Sequence, residues 1–192
     1  MPPSSVKRHV KGLSVIGLVK ILKVHRRNHS LPALSAGLET LFVDRVLLTE
    51  WYPIELLWEL LGLTYREMLK QDPDRLIEIG AAGSQEALSG PHRAFAGTRG
   101  ILETLHVMGP VWSNYYDFGS LTVEELERGV VRFTVHDYPD IPMTHGLVLA
   151  GWHLGAARVA GAHGPRVEFV QSPWQGAARQ VHLVHYDGDR VE

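Results

Sequence analysis

The sequence predicts an α+β fold: N-terminal helices packed on a C-terminal four-stranded antiparallel sheet, with a strand–strand–helix–strand–strand order. Three observations carry this. Apolar residues in the first half recur at helical spacing, the period drops to two beyond about residue 119, and a long segment of small residues interrupts the late strands. The chain has 192 residues, 45% of them hydrophobic and 21% charged. A chain of that size hides roughly 70% of its unfolded surface and needs no staples. One domain is expected over residues 6–187, with 1–5 as a loose tail.

Each element follows from local signals. From Gly12 to Arg27, Leu13, Ile16, Val19, Ile21 and Val24 recur with near-helical spacing. Asn28 is a plausible stop, and Leu31-Pro32 reopens a short helix. Leu38 to Thr49 is strongly apolar and reads as helix. Trp51-Tyr52-Pro53 reads as a turn, because the residue before proline disfavours the α conformation. Helices then start at Pro53 and Pro73, where the missing N–H costs nothing. They run to about Leu69 and Leu88, the second ending at Ser89-Gly90-Pro91. A further helix is expected from Arg99 to Met108, with a turn or two over Val111 to Tyr116.

The strands come next. Ser120 to Glu127 and Val130 to Asp137 form a hairpin about Arg128-Gly129. Val131, Phe133 and Val135 alternate with Arg132, Thr134 and His136, so one face is dry. Pro142 to Gly161 is a helix whose many glycines and alanines imply close packing, expected here against a sheet. Arg166 to Gln171 and Arg179 to Tyr186 close the sheet.

The totals exclude several classes. Cysteine is absent, which removes disulfides, thiolate metal sites and cysteine nucleophiles. A cytoplasmic location is expected on that basis. Met1 to Ser5 is no signal peptide, and the apolar run Leu13 to Val24 is too short to span a bilayer. The net charge of −2 argues against nucleic acid. Residues 1–30 nonetheless hold seven lysines and arginines, and no acid occurs before Glu39. Such an end suits an anionic surface or an acidic partner; it also reads as a solvated helix face.

Four pieces then carry a resemblance: Glu50-Trp51-Tyr52-Pro53, Leu88 to Phe95, Tyr115-Tyr116-Asp117-Phe118-Gly119, and Gly151-Trp152. Together they resemble a set of mainly myxobacterial proteins. Those are similar to a superfamily of 4-vinyl-reductase-like ligand-binding domains, haem-NO-binding domains and small TRAPP subunits. The resemblance covers about residues 6–187. It implies a hydrophobic pocket between helices and sheet, used by some members for haem, by others for aromatic effectors or a lipid chain.

The residues sort these options. The haem-binding branch hangs iron on one helical histidine, and His106 falls near that position. The same branch carries Tyr-x-Ser-x-Arg after the second strand; here the place reads Asp137-Tyr138-Pro139-Asp140-Ile141-Pro142, without arginine. The 4-vinyl-reductase-like branch often has Cys-x₇-Cys in its final hairpin, corresponding to Ser172 and Gln180. That metal site is lost, and the histidines offer no substitute: His182 and His185 face opposite sides of a strand. No nucleophile elbow, phosphate loop or dinucleotide fingerprint is present, so the chain is expected not to be an enzyme.

The leading expectation is a sensory module binding an apolar or aromatic small molecule or a lipid chain. His106, Trp112, Tyr115, Tyr116 and Trp152 are the candidate contacts. No resident cofactor is expected; a haem-based gas sensor is the weakest of three readings. The second reading is a dimeric scaffold with a filled pocket. The apolar circumference of the helix after Pro53 motivates a homodimer, and any signal would pass to a separate signalling or scaffold protein.

Overall fold

The computed structural model describes residues 7–90 and 100–187. The segment Pro91–Phe95 of the second motif, and the expected helix start at Arg99, lie outside the described residues. The chain divides into two compact units, one comprising the residues up to Gln71 with Ser113–Phe118, the other Asp72–Trp112 with Gly119 onward.

The N-terminal unit begins with strand β1 (His9–Lys11), which leads directly into helix α1 (Gly12–Asn28). Helix α2 (Ala36–Val43) is capped by the Ser35 hydroxyl, which accepts from the Leu38 N–H. Strand β2 (Trp51–Pro53) pairs antiparallel with β1, Tyr52 opposite Val10. Helix α3 (Ile54–Leu63) follows and passes into a π-turn over Thr64–Met68. In that turn the Thr64 hydroxyl donates to the Leu60 carbonyl at 2.9 Å.

Three expectations change here. Trp51–Pro53 is a strand, because Val10 and Lys11 supply a partner that the dipeptide rule cannot see. The helix expected over 38–49 stops at Val43. The chain beyond it turns so that the Leu48 and Glu50 carbonyls accept from Leu13 and Gly12. Those carbonyls cap the α1 N-terminus, where no acid or side-chain cap is present. The short helix after Leu31-Pro32 waits until the Ser35 cap. The apolar circumference of α3, meanwhile, is filled by its own unit: Ile54, Leu57, Leu60, Leu61 and Leu63 are all buried.

Residues 113–118 return to this unit. The Lys11 N–H donates to the Tyr115 carbonyl at 2.8 Å, and Val10 bridges Tyr116. The Asp117 carboxylate accepts from the His9 N–H at 2.7 Å and lies 2.6 Å from His9 Nδ1.

The C-terminal unit holds the α+β core. Helix α4 (Pro73–Ser89) starts at the Asp72 cap with proline in the first turn. Helices α5 (Ile101–His106) and α6 (Met108–Val111) lead into a 3₁₀ turn at Trp112–Asn114. Strands β3 (Ser120–Glu127) and β4 (Val130–His136) form the expected hairpin. Helix α7 (Met143–Val159) precedes β5 (Arg166–Gln171) and β6 (Gln180–His185). The antiparallel order is β3-β4-β6-β5. Its inner face carries Val131, Phe133, Val135, His182 and Val184, each at most 1% exposed, and α7 covers it. The outer face carries polar pairs such as Arg132–Glu124 and His185–Glu168.

The small residues of α7 serve two surfaces rather than the sheet alone. A Cβ at Gly151 would collide with the Ile77 carbonyl of α4, and one at Gly155 with Ala81 and Ser84. Gly80 of α4 meets the Val148 carbonyl in the same way. This is a helix crossing at backbone contact, open only to glycine. Gly146 instead leaves room for the Trp174 ring beside the sheet.

Candidate functional site

The sheet-facing side of α7 is a stack of rings. Phe133 and His182 are cross-strand neighbours on β4 and β6. The His153 ring lies on Phe133 with centroids 4.1 Å apart and 10° between planes, and 5.1 Å from His182. Phe169 on β5 flanks His182 from the other side and meets Trp174 edge-on. Period-two alternation puts His182 inward and His185 outward, as their spacing predicts.

One hydrogen-bonded chain threads this stack. The Gln180 amide approaches the Gly146 carbonyl at 2.9 Å, and a carbonyl only accepts, so the amide nitrogen must face it. The same nitrogen lies 3.2 Å from His182 Nδ1, which therefore accepts. The His182 proton then sits on Nε2 and donates to His153 Nδ1 at 2.8 Å. Both rings are neutral in this assignment. A proton added at either accepting nitrogen would set donor against donor. Burial drives both imidazoles below their ordinary range, His182 to about 3, and the neighbouring His182 adds to the effect on His153.

A second lock lies nearby. The His145 Nδ1 is 2.9 Å from the Tyr138 hydroxyl, and both side chains are 1% exposed. Burial lowers His145 to about 3. Tyr138→Phe is expected to cost about 1–3 kcal/mol, the usual range for a buried polar group stripped of its partner. Urea unfolding at neutral pH checks this; a loss below about 0.5 kcal/mol, the low end for a typical hydrogen bond, contradicts it.

The five candidate contacts fall on several elements of the two units. His106 ends α5 and is exposed. Trp112 opens the 3₁₀ turn and is 6% exposed. Trp152 is half-buried on the α4 side of α7, near Gly83, and edge-on to His153. Tyr115 and Tyr116 belong to the N-terminal unit, where Tyr116 packs edge-on to Phe118. Burial raises the Tyr115 phenol to about 12, and burial with the Tyr115 neighbour raises Tyr116 further.

Sequence reasoning missed the buried chain Gln180–His182–His153. Its signal was present: His182 shares the Val184 face, and His145 and His153 lie two turns apart on one helix. Metal-ligand spacing does not reveal it, because its members form a neutral hydrogen-bonded pair. Ser172 and Gln180 are buried at 2% and 0% exposure.

Two clefts open on the C-terminal unit. One, about 430 Å³, lies between α4, α7 and β5. Ile77, Leu154, Pro165 and Val167 give it an apolar floor, and Asp74, Arg75, Glu78 and Arg166 complete its lining, two acids against two arginines. The other, about 560 Å³, is more polar and is lined by His136, Asp137, Gln171 and Arg179. Neither includes any of the five candidate residues.

A haem does not fit the described residues. His106 offers an exposed ring rather than a pocket ligand. After β4, the Tyr138 ring turns inward onto His145, and Asp137 and Asp140 would repel propionates. Among the described residues, no group of three or more histidine, aspartate or glutamate side chains is placed to hold a metal ion.

No protein-family model matches the chain, and no curated protein matches it. Solved structures do match. A mutant of T. Tengcongensis H-NOX superposes with a TM-score of 0.67 at 13% identity, covering 94% of this chain and 99% of that one. An oxygen-binding H-NOX domain related to soluble guanylate cyclases gives 0.63 at 14%, covering 95% and 97%. A trafficking protein particle complex subunit 3 from Naegleria fowleri, covalently bound to palmitic acid, gives 0.54 at 15%, covering 72% and 97%. At these identities the likeness is one of fold, and it is the fold that the sequence motifs imply.

Proposed function

We propose that this chain is a non-catalytic binding module that holds an apolar or aromatic small molecule or a lipid chain. The observation that carries the reading is the fold. It matches an oxygen-binding H-NOX domain over 95% of the chain and a palmitate-carrying subunit over 72%. Within the C-terminal unit the ring stack fills the space between α7 and the sheet. Of the two clefts described on that unit, the one with the apolar floor between α4, α7 and β5 suits an apolar ligand better. Its volume lies in the usual range for small-molecule sites, and its floor is apolar.

Titration of the full chain with a fluorescent fatty acid tests this. Saturable binding displaced by palmitate is expected, weakened about tenfold or more by Val167→Lys with Arg166→Glu. Linear, non-displaceable uptake contradicts the reading. Haem added to the same protein is expected to give no protein-bound Soret band; a stoichiometric one restores the gas-sensor reading.

The ring stack favours a second reading, a dimeric scaffold whose interior is already occupied. It predicts no saturable fatty-acid binding together with a dimer in sedimentation equilibrium.

A further inference from the structure

The first helix of the N-terminal unit presents a surface that its own unit does not use. Val15, Leu18, Val19 and Leu22 bury one side of α1. The opposite side exposes Ile21 at 43% and Val24 at 58%. On a helix, residues 17, 20, 21, 24 and 27 follow one another along a single face. That face therefore reads Gly17, Lys20, Ile21, Val24 and Arg27, with Lys23 at its border. Gly17 has nothing within 4 Å of its missing Cβ.

The charges around it are one-sided. Between residues 7 and 38 there are seven cations and no acid. Three are engaged: Arg8 lies over Trp58 and Phe118, Lys11 donates to the Thr49 carbonyl and lies over Trp51, and Arg26 pairs with Glu39. Among the described residues, Lys20, Lys23 and Arg27 carry no ion pair or side-chain hydrogen bond, so their charge is undiluted. Among the described residues, six of the eight large hydrophobic side chains left exposed fall between Ile21 and Trp51. Trp51, 39% exposed beneath the Lys11 ammonium, is one of them.

We propose that this face of α1 docks the protein onto an anionic lipid surface. The complementarity is specific in kind. Short apolar side chains enter the acyl boundary, while the flanking lysine and arginine stems reach back to the headgroups. Among the described residues no helix is long and apolar enough to cross a membrane, so the contact is peripheral and reversible. Each cation near an anionic leaflet contributes roughly a fivefold factor in partitioning. The attachment depends on anionic lipid and fades with salt.

The test is co-sedimentation of the full chain with phosphatidylcholine vesicles, with and without about one third phosphatidylglycerol. All substitutions fall on solvent-facing or border positions, and circular dichroism checks their folding. Binding is expected only with phosphatidylglycerol, falling about a hundredfold in Lys20→Gln/Lys23→Gln/Arg27→Gln. It is expected to fall about tenfold in Ile21→Ser/Val24→Ser, whose charges are intact. Equal binding to both vesicles, no binding to either, or full binding by the charge-removed variant overturns the proposal. Full binding by Ile21→Ser/Val24→Ser also overturns it, and assigns the face to an acidic soluble partner instead.

Discussion

Between pH 7 and pH 5 the folded state is expected to lose about 6 kcal/mol of stability, roughly 2 from each of three buried histidines. His145, His153 and His182 are neutral when folded because burial opposes their charging. In the unfolded chain each returns to an ordinary pKa near 6.5 and takes up a proton. Below that value the unfolded state binds more protons, so stability rises with pH across the window. The contribution is fully present above about pH 6.5 and drains as pH falls toward about 3. Each histidine adds a slope of about 1.4 kcal/mol per pH unit. Since a domain holds only about 5–15 kcal/mol in total, acid unfolding is expected before about pH 4. Urea titrations at about pH 7, 6 and 5 read the slope directly. His145→Leu should reduce it by about one third, whatever that substitution costs at neutral pH. A stability that stays flat from about pH 6.5 to 5 would mean that these rings are hydrated.

Gly151→Ala is expected to destabilise by about 3 kcal/mol or more, and Gly155→Ala similarly. The added methyl group would meet the backbone of α4, not a side chain that can rotate away. The Ile77 carbonyl is itself part of a helical ladder, so the two helices must separate, and the seam loses its close-range attraction along its length. Gly83→Ala gives the internal control. It lies on helix α4 too, but is exposed, and its Cβ would stand 3.9 Å from the nearest atom, Cδ1 of Trp152. There the helix propensity of alanine should show through as a gain of up to about 1 kcal/mol. Thermal melts of the three variants suffice. Equal small effects in all three would mean that the helices do not meet at backbone contact.

Much of this architecture was legible in the sequence because it rests on period and punctuation. The β3–β4 hairpin follows from alternating Val131, Phe133 and Val135 and from Gly129, whose φ is +85°. Helix α4 follows from Asp72-Pro73. What escaped depends on partners distant in sequence. Strand β2 exists because β1 lies beside it, and the helix after Ala36 ends early because its continuation caps α1. The site was harder still. Residue type and resemblance alone point to the five aromatic and histidine candidates, and they lie on separate elements. The inward hydrogen bonds of Gln180, His182 and Tyr138 follow from packing between α7 and the sheet, which periodicity locates but does not describe. The glycines of α7 signalled close packing, but not that α4 would be the neighbour.

Native mass spectrometry of the full chain as isolated tests the binding-module reading most directly. The expected result is a folded species heavier than the polypeptide by one small nonpolar molecule, which is shed on denaturation and recovered in an organic extract. A bare polypeptide mass that fatty acid fails to raise, or an excess that proves to be haem, would contradict it.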